Sequence, residues 1–212
     1  MPADRSDPTP GPSLSSYDDV TTPSAALLVL HGGKDRSQAP VTGRSLSWQR
    51  GAGLARVLAR QVRDQDVAVR ELRYRTVGWN GGAERIADAR WALARVRDEL
   101  GEIPVVLVGH SMGGRTACRV ADDTLVRGVV ALAPWLPAGE PVGALSGKHL
   151  HAAHGRRDKI TRADDTRAYV ERAGAAASLA TFTDMGDRGH YLLRGIHAWN
   201  AFTLDRVRQI LV

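Results

Sequence analysis

The sequence predicts an α/β protein, a reduced and mostly parallel sheet of about six strands with helices on both faces. Three observations predict it. Short continuous apolar runs, such as Ala25 to Leu30, have the composition of strands covered on both sides. Between them lie stretches with apolar residues at steps of three and four, the period of an amphipathic helix. The first apolar run also ends in glycine-rich sequence, His31-Gly32-Gly33, as expected where a buried strand turns toward a helix.

In chain order, residues 1–24 hold five of the ten prolines among Ser, Thr and Asp. That composition buries little apolar surface, so these residues read as a flexible leader ahead of a single domain spanning 25–212. A strand at 25–30 is followed by a helix at 45–64, with Leu46, Leu54, Val57, Leu58 and Val62 on one face and Arg56, Arg60 and Arg63 on the other. Gly51 and Gly53 weaken its first half. Residues 67–74 read as a strand. Residues 84–100 carry the clearest amphipathic pattern, Ile86, Ala89, Leu93, Val96 and Leu100, stopped by Gly101. A buried strand at 104–108, a helix at 112–123 and a strand at 128–133 ended by Pro134 and Pro137 come next. The order closes with a strand at 149–153, a helix at 162–173 closed by Gly174, a strand at 178–183 and a helix at 197–211 carrying Trp199, Phe202, Val207 and Ile210.

A chain of 212 residues fits one domain and one core. No apolar run approaches the ~18 residues of a membrane span, and Met1 to Thr22 lacks the apolar centre of a secretory signal, so the expected location is the cytoplasm. The single cysteine, Cys118, excludes an intramolecular disulfide framework and a multi-thiolate metal site, and reads as a buried small hydrophobe. The net charge is +6, and the whole excess falls between Lys34 and Arg75. The Arg face of the 45–64 helix is either simply solvated or attracts an acidic partner. Nucleic-acid binding is not expected.

The residues that carry chemistry begin with Gly109-His110-Ser111-Met112-Gly113-Gly114, a G-x-S-x-G pattern between a buried strand and a helix start. The glycines allow a tight turn that thrusts Ser111 outward, and the Met112 N–H then points with the helix N-terminus toward charge developing on a bound carbonyl oxygen. His31-Gly32-Gly33 can bring a second amide to the same oxygen, from Gly33 or alternatively from Lys34. A serine nucleophile needs a base and the base an orienting carboxylate. His190 follows the last strand, and Asp158 follows the strand before it, with Asp187 as a rival acid. His31, Lys34, Trp79, His110 and Trp135 are candidates to line the substrate pocket. His149, His151 and His154 lack the partners of a metal site and read as structural.

These motifs, HGG, GHSMGG, HGRRDKIT and a GH near the C-terminus in the order Ser, Asp, His, resemble those of the α/β-hydrolase superfamily over Ala25 to the end of the chain. The resemblance places the acid on the loop that holds Asp158 and so prefers it to Asp187. Many members insert a lid after the Trp135 strand, but the short stretch between Pro137 and the strand at 149–153 leaves no room for one, so a comparatively open site is expected. A serine nucleophile argues against the superfamily's dehalogenases and epoxide hydrolases, which attack through a carboxylate.

The expectation is a serine hydrolase of small-molecule esters or thioesters, with Ser111, His190 and Asp158 as its triad and Gly33 and Met112 amides as its oxyanion hole. No metal or organic cofactor and no membrane partner is implied. Two other readings use the same residues: a thioesterase or acyltransferase served by an acidic acyl carrier protein, and a catalytically silent ligand-binding protein.

Overall fold

A computed structural model describes residues 11–212. Seven strands form one sheet in the spatial order β1-β3-β2-β4-β5-β6-β7. They are β1 (Ser13–Ser16), β2 (Ala25–Leu30), β3 (Val67–Arg73), β4 (Val105–His110), β5 (Val126–Leu132), β6 (His149–His154) and β7 (Leu179–Asp184). From β3 through β7 every neighbouring pair is parallel, while β1 runs antiparallel to β3. The helices are α1 (Leu46–Gln61), α2 (Ala83–Leu100), α3 (Met112–Arg119), α4 (Ala163–Ala173) and α5 (Ile196–Leu211).

Strand alternation divides the core into two layers. Ala26, Leu28 and Leu30 of β2 face a cluster that takes in Leu93 of α2, Cys118 of α3 and Tyr169 of α4. Ala25, Leu27 and Val29 face the opposite cluster, with Leu58 of α1 and Trp199 and Phe202 of α5. Both faces of the central strands are therefore covered, which is why β2 and β4 are apolar at nearly every position instead of every second one.

The sheet agrees with the expected mostly parallel architecture, and its seventh strand comes from the leader, which differs from expectation. β1 lies inside the segment read as flexible; residues 11–24 are placed, and residues 1–10 fall outside the described residues. The composition argument considered buried apolar side chains, whereas this segment is held by pairing and polar contacts. Ser13 to Ser16 complete the free edge of β3, the Tyr17 hydroxyl donates to Glu71 at 2.7 Å, and Asp18 pairs with Arg70 at 2.8 Å. The crossover from β5 to β6, residues 133–148, contains a single 3-10 turn at Gly143–Leu145 and no lid.

Candidate active site

The C-terminal ends of three parallel strands bring the site together. β4 passes into α3 through Ser111, whose φ of 56° and ψ of −118° lie where L-residues rarely sit. The turn is possible because its flanks lack side chains: a Cβ on Gly109 would strike the Gly113 carbonyl, and one on Gly113 the Leu30 carbonyl. Strand becomes helix within one residue, and Ser111 stands at the sheet edge on the helix N-terminus.

Asp158 leaves the end of β6, and His190 follows β7. A carboxylate only accepts, so His190 Nδ1 carries the proton it donates to Asp158 Oδ2 at 2.7 Å. The Nε2 lone pair is then free to accept the Ser111 hydroxyl at 3.0 Å. Asp158 Oδ2 also accepts from Thr161 Oγ1 and from His154 Nε2, both at 3.0 Å, while Oδ1 takes the Ile160 and Thr161 N–H groups at 2.8 and 2.9 Å. Burial works to raise the Asp158 pKa. Hydrogen bonds from His154, His190, Thr161 and Ile160 outweigh it and hold the carboxyl well below the usual carboxylate range. Asp187 lies apart, paired at the surface with Arg157.

His154 is a contributor that sequence reasoning set aside with His149 and His151. It is fully buried, with Nε2 on Asp158 and Nδ1 against Thr166 Oγ1 at 2.8 Å. The available signal was its place at the strand end, four residues before the acid. His149 and His151 stack edge-on at 6.1 Å, and His151 meets Thr181 Oγ1.

The glycine turn after β2 lies against the elbow. A Cβ on Gly33 would come within 2.7 Å of Met112 Sδ. The Lys34 N–H donates to Val77 O at 3.0 Å, whereas the N–H groups of Gly33 and Met112 have no acceptor among the described residues.

Two candidate pocket residues are walled in instead. The buried His31 ring donates from Nδ1 to Gly32 O at 2.6 Å and accepts the Tyr74 N–H at Nε2, and burial lowers its pKa to about 4. His110 donates from Nε2 to the His190 carbonyl at 2.8 Å, and burial followed by the neighbouring His190 lowers its pKa to about 3. Both side chains brace the backbone of the site in place of lining a cavity, because each faces a carbonyl that its ring N–H must satisfy.

Trp79 and Trp135 do border a cleft of about 850 Å³, with Asp35, Arg36 and Arg115 on its walls. The Arg115 guanidinium lies over both rings, 4.1 and 4.5 Å from their centroids, and is neutralised by the buried Glu140. The site is less open than the missing lid suggests: Ser111 and His190 are each 6% exposed.

A family profile described as alpha/beta hydrolase fold matches residues 25–182. The chain belongs to the α/β-hydrolase family. Solved structures agree with this α/β hydrolase in fold. A serine hydrolase without a lid from Xanthomonas campestris superposes with a TM-score of 0.70 at 18% identity, over 93% of this chain and 88% of the other. A serine hydrolase homologue from Coxiella burnetii gives 0.68 at 14% identity, over 92% and 90% of the two chains. An esterase from Pyrococcus furiosus gives 0.62 at 14%, over 91% and 83%. No curated protein matches the α/β hydrolase by sequence. No helix among its described residues is long and apolar enough to cross a membrane.

Proposed function

We propose that the protein is a serine hydrolase that cleaves an ester or thioester through an acyl-enzyme. The observation that carries this reading is the unbroken hydrogen-bonded line from Ser111 Oγ through His190 to Asp158. His190 Nε2 takes the hydroxyl proton as Ser111 Oγ bonds to the substrate carbonyl carbon. The negative charge that forms on the carbonyl oxygen is met by the Gly33 and Met112 N–H groups and by the N-terminus of α3. Asp158 stabilises the imidazolium, which returns the proton to the leaving alcohol or thiol as the carbon–oxygen or carbon–sulfur bond breaks. Water, deprotonated by the same histidine, then attacks the acyl-enzyme, and Ser111 regains its proton. The esterase and serine hydrolase identities of the structural neighbours support this reading.

The test is a fluorophosphonate, with intact mass and peptide mapping. Stoichiometric labelling of Ser111 is expected, lost in Ser111→Ala and in His190→Ala. Ester turnover should fall by about 10⁴ to 10⁶ in Ser111→Ala. A folded wild-type protein that takes no label, or a Ser111→Ala variant within tenfold of wild type, would end the proposal.

A second reading, acyl transfer from an acidic carrier protein, draws on Arg56, Arg60 and Arg63, which are exposed on and just beyond α1, with Arg56 over the Tyr17 ring.

A further inference from the structure

An apolar groove lies beside His190, and the chemistry above leaves it unused. It runs between α1 and the segment leading from His190 into α5, encloses about 440 Å³, and is walled by Leu54, Val57, Tyr191, Leu193 and Ile196 over the buried Trp199. Six large apolar side chains are exposed among the described residues, and four of them, Leu46, Tyr191, Leu193 and Ile196, edge this groove. Apolar exposure concentrated in one place marks a binding surface.

Two features say what occupies it. Tyr191 packs edge-on against the His190 imidazole at 5.4 Å and lies under the Arg50 guanidinium of α1 at 4.4 Å, so the groove starts one side chain from the reacting centre. Its floor carries Gly53, a glycine inside a helix, which weakens that helix. Gly51, two residues earlier, has a packing reason: a Cβ there would meet the Glu71 carboxylate and come within 2.9 Å of His31 Cβ. Gly53 has none, since a Cβ would touch nothing within 4 Å and its φ is not positive. The missing side chain widens the groove and does nothing else for the fold. The cleft beside Trp79 and Trp135 also carries Asp35, Arg36 and Arg115 on its walls and is the more polar of the two.

We propose that this groove holds the acyl chain of the substrate, a medium-length unbranched aliphatic chain whose carbonyl lies at Ser111. The assignment rests on the serine hydrolase reading and adds the substrate class. A volume of about 440 Å³ falls within the usual range for small-ligand sites.

The experiment is hydrolysis of p-nitrophenyl esters from acetate to dodecanoate. In the wild type kcat/KM rises by up to roughly fourfold for each methylene that enters the groove. Gly53→Phe, and separately Leu193→Ser combined with Ile196→Ser, lower the octanoate-to-acetate ratio by about tenfold or more. A flat chain-length profile, or variants that change every ester equally, overturns the proposal.

Binding of dansyl-undecanoic acid, followed by fluorescence and displaced by decanoate, reads the groove without catalysis. It is expected in wild type and in Ser111→Ala, and lost in Gly53→Phe. Binding without any ester turnover keeps the groove and refutes the hydrolase. Acetate turnover without binding refutes the groove alone. A concentration-dependent dimer that Gly53→Phe dissociates assigns the groove to a second copy of the chain and also overturns the proposal.

Discussion

Asp158 accepts three side-chain donors on one oxygen and two backbone donors on the other, more than is needed to hold one imidazole. The arrangement fixes the carboxylate before His190 reaches it, and His154 supplies one of the donors on the oxygen that His190 uses. A hydrogen bond to a charged group is worth about 1.5 to 3 kcal/mol. His154→Leu is therefore expected to lower kcat by at least about tenfold with little change in KM, while His154→Gln, which retains a donor, recovers part of the loss. Steady-state kinetics with a soluble ester decide it, and an unaltered kcat in the leucine variant would reduce His154 to packing. The depressed Asp158 pKa also bears on folding. Its hydrogen bonds stabilise the fold above the unfolded carboxylate value near 3.8, and that contribution disappears as pH falls through the lower folded value.

At the scale of elements, the sheet edge made by β1 and β3 encloses Glu71. Its Oε2 accepts the Tyr17 hydroxyl, its Oε1 has no hydrogen-bond partner, and burial raises its pKa to about 7. Between the unfolded value near 4.5 and the folded value near 7, the folded chain holds a proton that the unfolded chain releases. Stability therefore falls as pH rises through this window and levels off above it, by up to roughly 3 kcal/mol. Glu71→Gln has no proton to lose, so urea denaturation at pH 5 and pH 8 should show the wild type losing ground to the variant. Parallel behaviour of the two would mean that Glu71 ionises normally in the folded state.

The same edge shows what could be read from the sequence and what could not. β2, β4 and β5 announce themselves through apolar runs because they are buried on both faces, and the turn at Ser111 through glycines that no other residue could replace. β1 is SLSS, half-buried and held by backbone pairing to a strand far away in sequence, so no local pattern marks it. His154 was visible as a residue but not as a partner of Asp158, since its role depends on how β6 ends. The groove depends on α1 and the segment after His190 meeting across more than a hundred residues of chain, which periodicity cannot express.

At the scale of the whole molecule, the reacting groups gather at the C-terminal strand ends, and the positive excess lies in the Lys34 to Arg75 stretch of the chain that includes α1. If that charge serves an acidic acyl carrier, acyl transfer from the carrier should weaken steeply between low and physiological salt, whereas hydrolysis of a neutral small ester should not. Measuring both rates across a salt series is sufficient, and equal responses would remove the reason for a carrier.

The short crossover after β5 has a consequence for how this scaffold could change. Glu140 anchors the middle of it through Arg115, Arg119 and a backbone contact from Arg172. Ala138 and Gly139 form an exposed turn, with Gly139 at φ 79°, a few residues past Trp135 and its cleft. Lengthening a surface turn costs an entropy that grows only with the logarithm of its length. Added sequence there would leave the sheet and the Glu140 anchor intact and emerge beside the cleft, so one insertion separates this architecture from a covered enzyme with a different choice of substrates.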